Sequence, residues 1–160
     1  MRLHAVGINH KSAPIEVREK LTFARDELLP ALNRLRERGL IDSGVLLSTC
    51  NRTEIYYRPG PEHKQAIEIF QFFCGERDCN VDNLRQYLYE FSKLSVVEHG
   101  FRVAGSLDSM VVGETQILGQ VKRAYEIARE GGFCDKFLHQ LFQEAFHVAK
   151  QIRSHTRISR

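Results

Sequence analysis

The sequence predicts an α+β fold: a ferredoxin-like βαββαβ antiparallel sheet with helices on one face, followed by a small helical bundle. Three observations carry this expectation. A loosely alternating aliphatic run, LHAVGIN, occupies 3–9; two apolar runs, Val45–Leu47 and Ile55–Tyr57, flank a polar block; and from about Leu94 onward the apolar pattern is helical. The expected division is 1–92 for the sheet-bearing part, which carries the nucleophile described below, and 93–160 for the helical part.

Each element has its own local reason. Residues 3–9 read as a half-buried first strand. Pro14 pre-sets the backbone for a short helix over Ile15–Leu21, and a second helix over Asp26–Arg38 places Leu28, Leu32 and Leu35 on one face, with Gly39 as its stop. Pro30 is then expected in or near the first turn, where a missing N–H costs little. The runs at 45–47 and 55–57 form a hairpin that Pro59 and Gly60 end. Apolar residues at 66, 67, 69, 70, 73 and 74 predict a helix over 62–75, and QYLYEF at 86–91 supplies the last strand. Helices are expected over 94–104, 114–130 and 135–153; in the last, Leu138, Leu141, Ala145, Val148, Ala149 and Ile152 form a stripe behind a capping Asp135.

Composition narrows the function classes. With 42% apolar and 27% charged residues in 160, the chain can bury a core without crosslinks. Its longest apolar runs, such as Val45–Leu47 and Met110–Val112, fall far short of the ~20 residues of a membrane span. The N-terminal apolar run is too short for a signal peptide, so a cytoplasmic location and reduced cysteines are expected. The cysteines at 50, 74, 79 and 134 have no repeated spacing, and Cys74 and Cys79 lack a matching pair, so no metal is expected. The net charge of +3 is uneven: residues 1–119 hold 15 Lys/Arg against 16 Asp/Glu, whereas 120–160 hold 8 against 4. That excess fits a polyanionic partner and equally fits a solvated face.

Chemistry concentrates in two segments. Ser48-Thr49-Cys50-Asn51-Arg52-Thr53-Glu54 sets a cysteine in a polar turn after a buried strand. A guanidinium nearby stabilises a thiolate, and Arg52 offers a planar fork for a carboxylate. Most lone cysteines are buried and inert, which is the competing reading of Cys50. The second segment, 105–120, has three glycines whose spacing is neither GxGxxG nor a P-loop. If a helix begins near Glu114, Gln116 and Gln120 share a face, and with Ser109 and Glu114 they suit a ligand carrying an amine and a carboxylate. Paired glutamines on a solvent face are the competing reading.

GINHKSAPIEVREKLTF at 7–23, LLSTCNRTEIY at 46–56 and SLDSMVVGETQILGQVKRAY at 106–125 together resemble the N-terminal catalytic domain of bacterial glutamyl-tRNA reductases over essentially the whole chain. The resemblance implies that Cys50 attacks the ester of glutamyl-tRNA to give a glutamyl thioester. NADPH then reduces this to glutamate 1-semialdehyde, at the entry to tetrapyrrole (porphyrin) synthesis. It implies a substrate pocket of Thr49, Asn51, Arg52, Ser109, Glu114, Thr115, Gln116 and Gln120, with His99 important for activity as a proton relay or an ordering group. For the full-length enzyme it implies downstream NADPH-binding and dimerisation domains, a homodimer, and the aminomutase that uses the semialdehyde as a partner. The present chain, on that reading, is a monomeric fragment that forms and hydrolyses the thioester only. Two other classes compete: a stand-alone cysteine acyltransferase or hydrolase using Cys50 with His99, and a non-enzymatic RNA-binding module presenting Tyr56 and Tyr57 to bases.

Overall fold

A computed structural model describes residues 2–108 and 116–156. Strands β1 (His4–Asn9), β2 (Ile41–Ser48), β3 (Arg52–Pro59) and β4 (Tyr89–Ser92) form an antiparallel sheet in the order β2-β3-β1-β4. Helices α1 (Ile15–Lys20) and α2 (Arg25–Glu37) connect β1 to β2, and α3 (Ile67–Glu76), α4 (Val81–Leu84) and a 3-10 turn at Arg85–Tyr87 connect β3 to β4. Helices α5 (Leu94–Ala104), α6 (Gln116–Glu130) and α7 (Lys136–Thr156) follow. The expected βαββαβ arrangement with a helical extension is present.

Register decides which residues meet. Ala5 pairs with Tyr56, Gly7 with Glu54 and Asn9 with Arg52, while Tyr89 pairs with Gly7 from the other side. Because side chains alternate along a strand, Arg52, Glu54, Tyr56 and Arg58 share one face with Tyr89 and Phe91. That face meets the C-terminal helices. Tyr56 packs edge-on against Phe142 at 5.3 Å and stacks with His99 at 6.1 Å, and Arg58 reaches Asp135 at 3.0 Å. Helices α2 and α3 pack on β2 and β1. Cover on both faces explains why β1 to β3 are buried almost continuously instead of in alternation. One apolar core runs from Leu3 to Phe142 through both halves of the chain.

Three local expectations need correction. The last strand is Tyr89–Ser92 instead of 86–91, because Arg85–Tyr87 form a 3-10 turn ahead of it. Helix α3 begins at Ile67 instead of near 62, because Gly60 and Glu62 donate backbone N–H bonds to Leu40 and Gly39 and so tie this segment to the α2–β2 turn. Pro30 is the sixth residue of α2, beyond the first turn. Pro30 and Asp26 are both exposed, so the Asp26 carbonyl that loses its helical donor faces water, which lessens the cost. The α2 stop is as expected: Gly39 takes φ 73°, its N–H bonds Arg36 O at 2.9 Å, and Leu40 N–H bonds Leu35 O at 3.0 Å. Asp135 caps α7 through Leu138 N–H at 2.9 Å.

Candidate active site

The β2–β3 turn is fastened by Thr49. Its N–H donates to Arg52 O at 2.7 Å, and its Oγ1 accepts from Asn51 N–H at 3.1 Å and Arg52 N–H at 3.2 Å. Cys50, at the tip, is exposed. The loop after β1 lies alongside, since Asn9 pairs with Arg52; Asn9 Oδ1 folds it by accepting from Lys11 N–H at 2.9 Å and Ser12 N–H at 3.0 Å. From α1, buried Arg18 donates through Nη1 to Cys50 O at 3.3 Å and Asn51 Oδ1 at 3.1 Å. Arg18 Nε and His10 Nδ1 are buried without a hydrogen-bond partner among the described residues. Burial, with Arg52 adding to it, holds the His10 ring below its usual pKa.

Beneath the turn lies a polar network centred on Glu54, which is 0% exposed. Oε1 accepts from Tyr56 OH at 2.7 Å and Arg52 Nη1 at 3.3 Å; Oε2 meets His99 Nε2 at 2.8 Å and accepts from Tyr89 OH. Burial alone would raise the Glu54 pKa, but Arg52, His99 and Tyr89 overcome it and hold the carboxyl at about 2. An ionised Glu54 can only accept, so His99 Nε2 carries the proton of their bond. His99 is 6% exposed and stacks on Phe91 at 4.4 Å. Arg52 Nη2 donates to Asp108 O at 2.6 Å and Oδ2 at 3.1 Å, and Lys11 Nζ takes Asp108 Oδ1 at 2.8 Å. Burial opposes the Asp108 charge, and Lys11 and Arg52 hold its carboxyl below the usual range. Gly7 makes room for the network: a Cβ there would lie 2.5 Å from Glu54 Cβ.

Thr49, Cys50, Asn51, Arg52, Gln116 and Gln120 line one cleft of about 30 Å³ together with Ile117. Six residues singled out in the sequence thus converge. His99 stands behind them in the Glu54 network, and Ser109, Glu114 and Thr115 lie outside the described residues. The other cysteines differ in environment: Cys74 is buried in the core with its thiol pushed up to about 11 by burial, and burial pushes the Cys134 thiol up to about 12. Sequence reasoning missed Arg18, His10, Lys11, Glu54 and Asp108. Of these only Glu54 left a trace, as a carboxylate in a strand otherwise too apolar to hold it unpaired.

The model of the glutamyl-tRNAGlu reductase N-terminal domain family matches residues 6–156. The chain belongs to this family. Among solved structures it is similar to the glutamyl-tRNA reductase from Methanopyrus kandleri, with a TM-score of 0.80 and 36% identity over 99% of this chain. It spans 36% of that relative's length. The match runs from within β1 through the Cys50 turn to the end of α7, so the site just described falls wholly within the family domain. Among the described residues no helix is long and apolar enough to cross a membrane.

Proposed function

We propose that this domain removes glutamate from glutamyl-tRNA, with Cys50 as the nucleophile. The observation that carries the proposal is the contrast among the four cysteines: Cys50 is exposed at the tip of a turn fastened by Thr49 and Arg18, while Cys74 is buried and Cys79 and Cys134 are partly buried. The Cys50 thiol loses its proton to solvent, and the thiolate forms an S–C bond with the ester carbonyl. The tetrahedral oxyanion collapses, the bond to the terminal ribose oxygen breaks, and that oxygen leaves as the protonated hydroxyl of free tRNA. Gln116 and Gln120, across the cleft, supply amide donors to the developing oxyanion or to the glutamyl group. Arg52 recognises the substrate carboxylate by giving it the Nη2 position that Asp108 Oδ2 holds here, Asp108 keeping Lys11. His99 acts as a positioning residue, through Glu54.

In the full-length enzyme the thioester is reduced to glutamate 1-semialdehyde for tetrapyrrole synthesis, with NADPH as the source of hydride. The residues described here do not fit that cofactor. Their sheet is antiparallel throughout and lacks the strand–glycine turn–helix unit that cradles a dinucleotide. This chain's own share therefore ends at the thioester, which water slowly converts to glutamate. The sheet gives no support to RNA recognition by its aromatics, since Tyr56 and Tyr57 are 1% and 0% exposed.

Intact-mass measurement after mixing with glutamyl-tRNA tests the proposal. A glutamyl adduct is expected on the wild-type chain and not on Cys50→Ser, with NADPH leaving its decay unchanged. An adduct that survives in Cys50→Ser would refute the assignment.

A further inference from the structure

We infer that the groove between α6 and α7 is a binding track for the phosphate backbone of the RNA whose aminoacylated end enters the Cys50 cleft. This rests on the proposed function and adds a surface to it. The groove has a volume of about 550 Å³, and its lining includes apolar Leu118 and Phe146 and basic Lys122, His147, Lys150 and Arg153.

Charge is the first reason. Lys122, Lys150 and Arg153 have no ion-pair partner among the described residues, whereas nearby Arg129 is paired with Glu126 and Arg58 with Asp135. Glu144, the carboxylate of α7, does not line the groove. Unpaired cations on a concave wall attract a polyanion more than scattered surface charges do, because the low-dielectric walls focus their field. Spacing is the second reason. His147, Lys150 and Arg153 recur every three residues, so they form one stripe on α7 with a rise of about 4.5 Å between neighbours, and they share the groove with Lys122 of α6. Lys122 Nζ lies 5.8 Å from the Phe146 ring centroid, which keeps this cation against an apolar part of the groove lining.

Position is the third reason. Helix α6 turns Gln116 and Gln120 to the Cys50 cleft and Leu118 and Lys122 to the groove. A helix is about 10–12 Å across, so a strand lying in the groove needs only to pass the first turns of α6 to reach the thiol. An acidic protein segment would meet the same cations, but it has no reason to end at a nucleophile that opens an ester.

The test is fluorescence anisotropy of labelled, uncharged tRNA against the 160-residue chain over a salt series, which needs no chemistry at Cys50. Lys150→Glu/Arg153→Glu should weaken binding at low salt by at least about tenfold and flatten the log K against log salt slope by roughly 1.5–2. Circular dichroism and melting are run as fold controls, and Lys150→Gln/Arg153→Gln should give an intermediate loss. Lys150→Arg should bind as the wild type does. Wild-type affinity and slope in the charge-reversed chain, or no low-salt binding by the wild type, would overturn the inference. The two readings fail separately: a chain that binds RNA through the groove but is never acylated refutes the Cys50 chemistry alone.

Discussion

The tip of the β2–β3 turn and the first residues of β3 are adjacent in the chain and built oppositely. At the tip, Cys50 is exposed, and beside it Arg18 Nε and His10 Nδ1 are buried without partners among the described residues. In β3, Arg52 is 2% and Glu54 0% exposed, and both Glu54 oxygens have two partners. The difference separates two tasks. The paired network anchors the strand, with Arg52 Nη2 on Asp108 as the one contact exchanged in the proposed substrate binding, while the turn holds an exposed thiol and unpaired donors. The cation that touches the Cys50 segment is accordingly Arg18, and Arg52 acts from beneath.

Four changes break or sharpen that contrast. The largest effect belongs to Cys50→Ser, which should make acylation undetectable by intact mass yet leave stability within about 0.5 kcal/mol, because the side chain is exposed. Glu54→Gln should do the reverse and act mainly on the fold. It leaves Arg52 buried with reduced compensation, and urea unfolding should show a loss of about 3–5 kcal/mol. The wild type has a matching acid dependence. Its Glu54 pKa is lowered from 4.5 to about 2, so the stabilisation is complete above the unfolded value and disappears as pH falls from about 5 to 2. That limb is worth on the order of 3 kcal/mol and should be missing from Glu54→Gln.

Smaller effects follow at the edges of the two regions. Gly7→Ala puts a methyl against Glu54 and the Thr53 carbonyl, so a loss of about 1–3 kcal/mol is expected in the same unfolding assay. Arg18→Lys retains the charge but not the planar guanidinium that aims a single nitrogen, Nη1, at both Cys50 O and Asn51 Oδ1. Alkylation of Cys50 at neutral pH should slow by about fivefold, the equivalent of one hydrogen bond, with little change in melting.

Much of the fold around the site was legible in the sequence, in the places where local rules suffice. The α5 limits, the Gly39 stop, the Asp135 cap and the hairpin around Cys50 follow from period, caps and turn residues within a few positions of each other. The partners of the site do not. Arg18 lies 32 residues from Cys50 and Asp108 lies 56 from Arg52, and only the sheet register and the α1 docking bring them together. The opposite burial of Cys50 and Arg52 was equally hidden, because two residues that flank a turn look alike until the C-terminal helices cover one side of it. Pro30 misled for a different reason: burial of Leu28, Leu32 and Leu35 holds α2 helical through the proline and outweighs its local cost.

Competitive alkylation of the native chain at neutral pH, quantified cysteine by cysteine, tests most directly the claim that Cys50 stands apart as the nucleophile. Cys50 should be labelled first and Cys74 and Cys134 last, since burial raises both of the latter thiols. Labelling of Cys74, Cys79 or Cys134 ahead of Cys50 in the folded protein would contradict it.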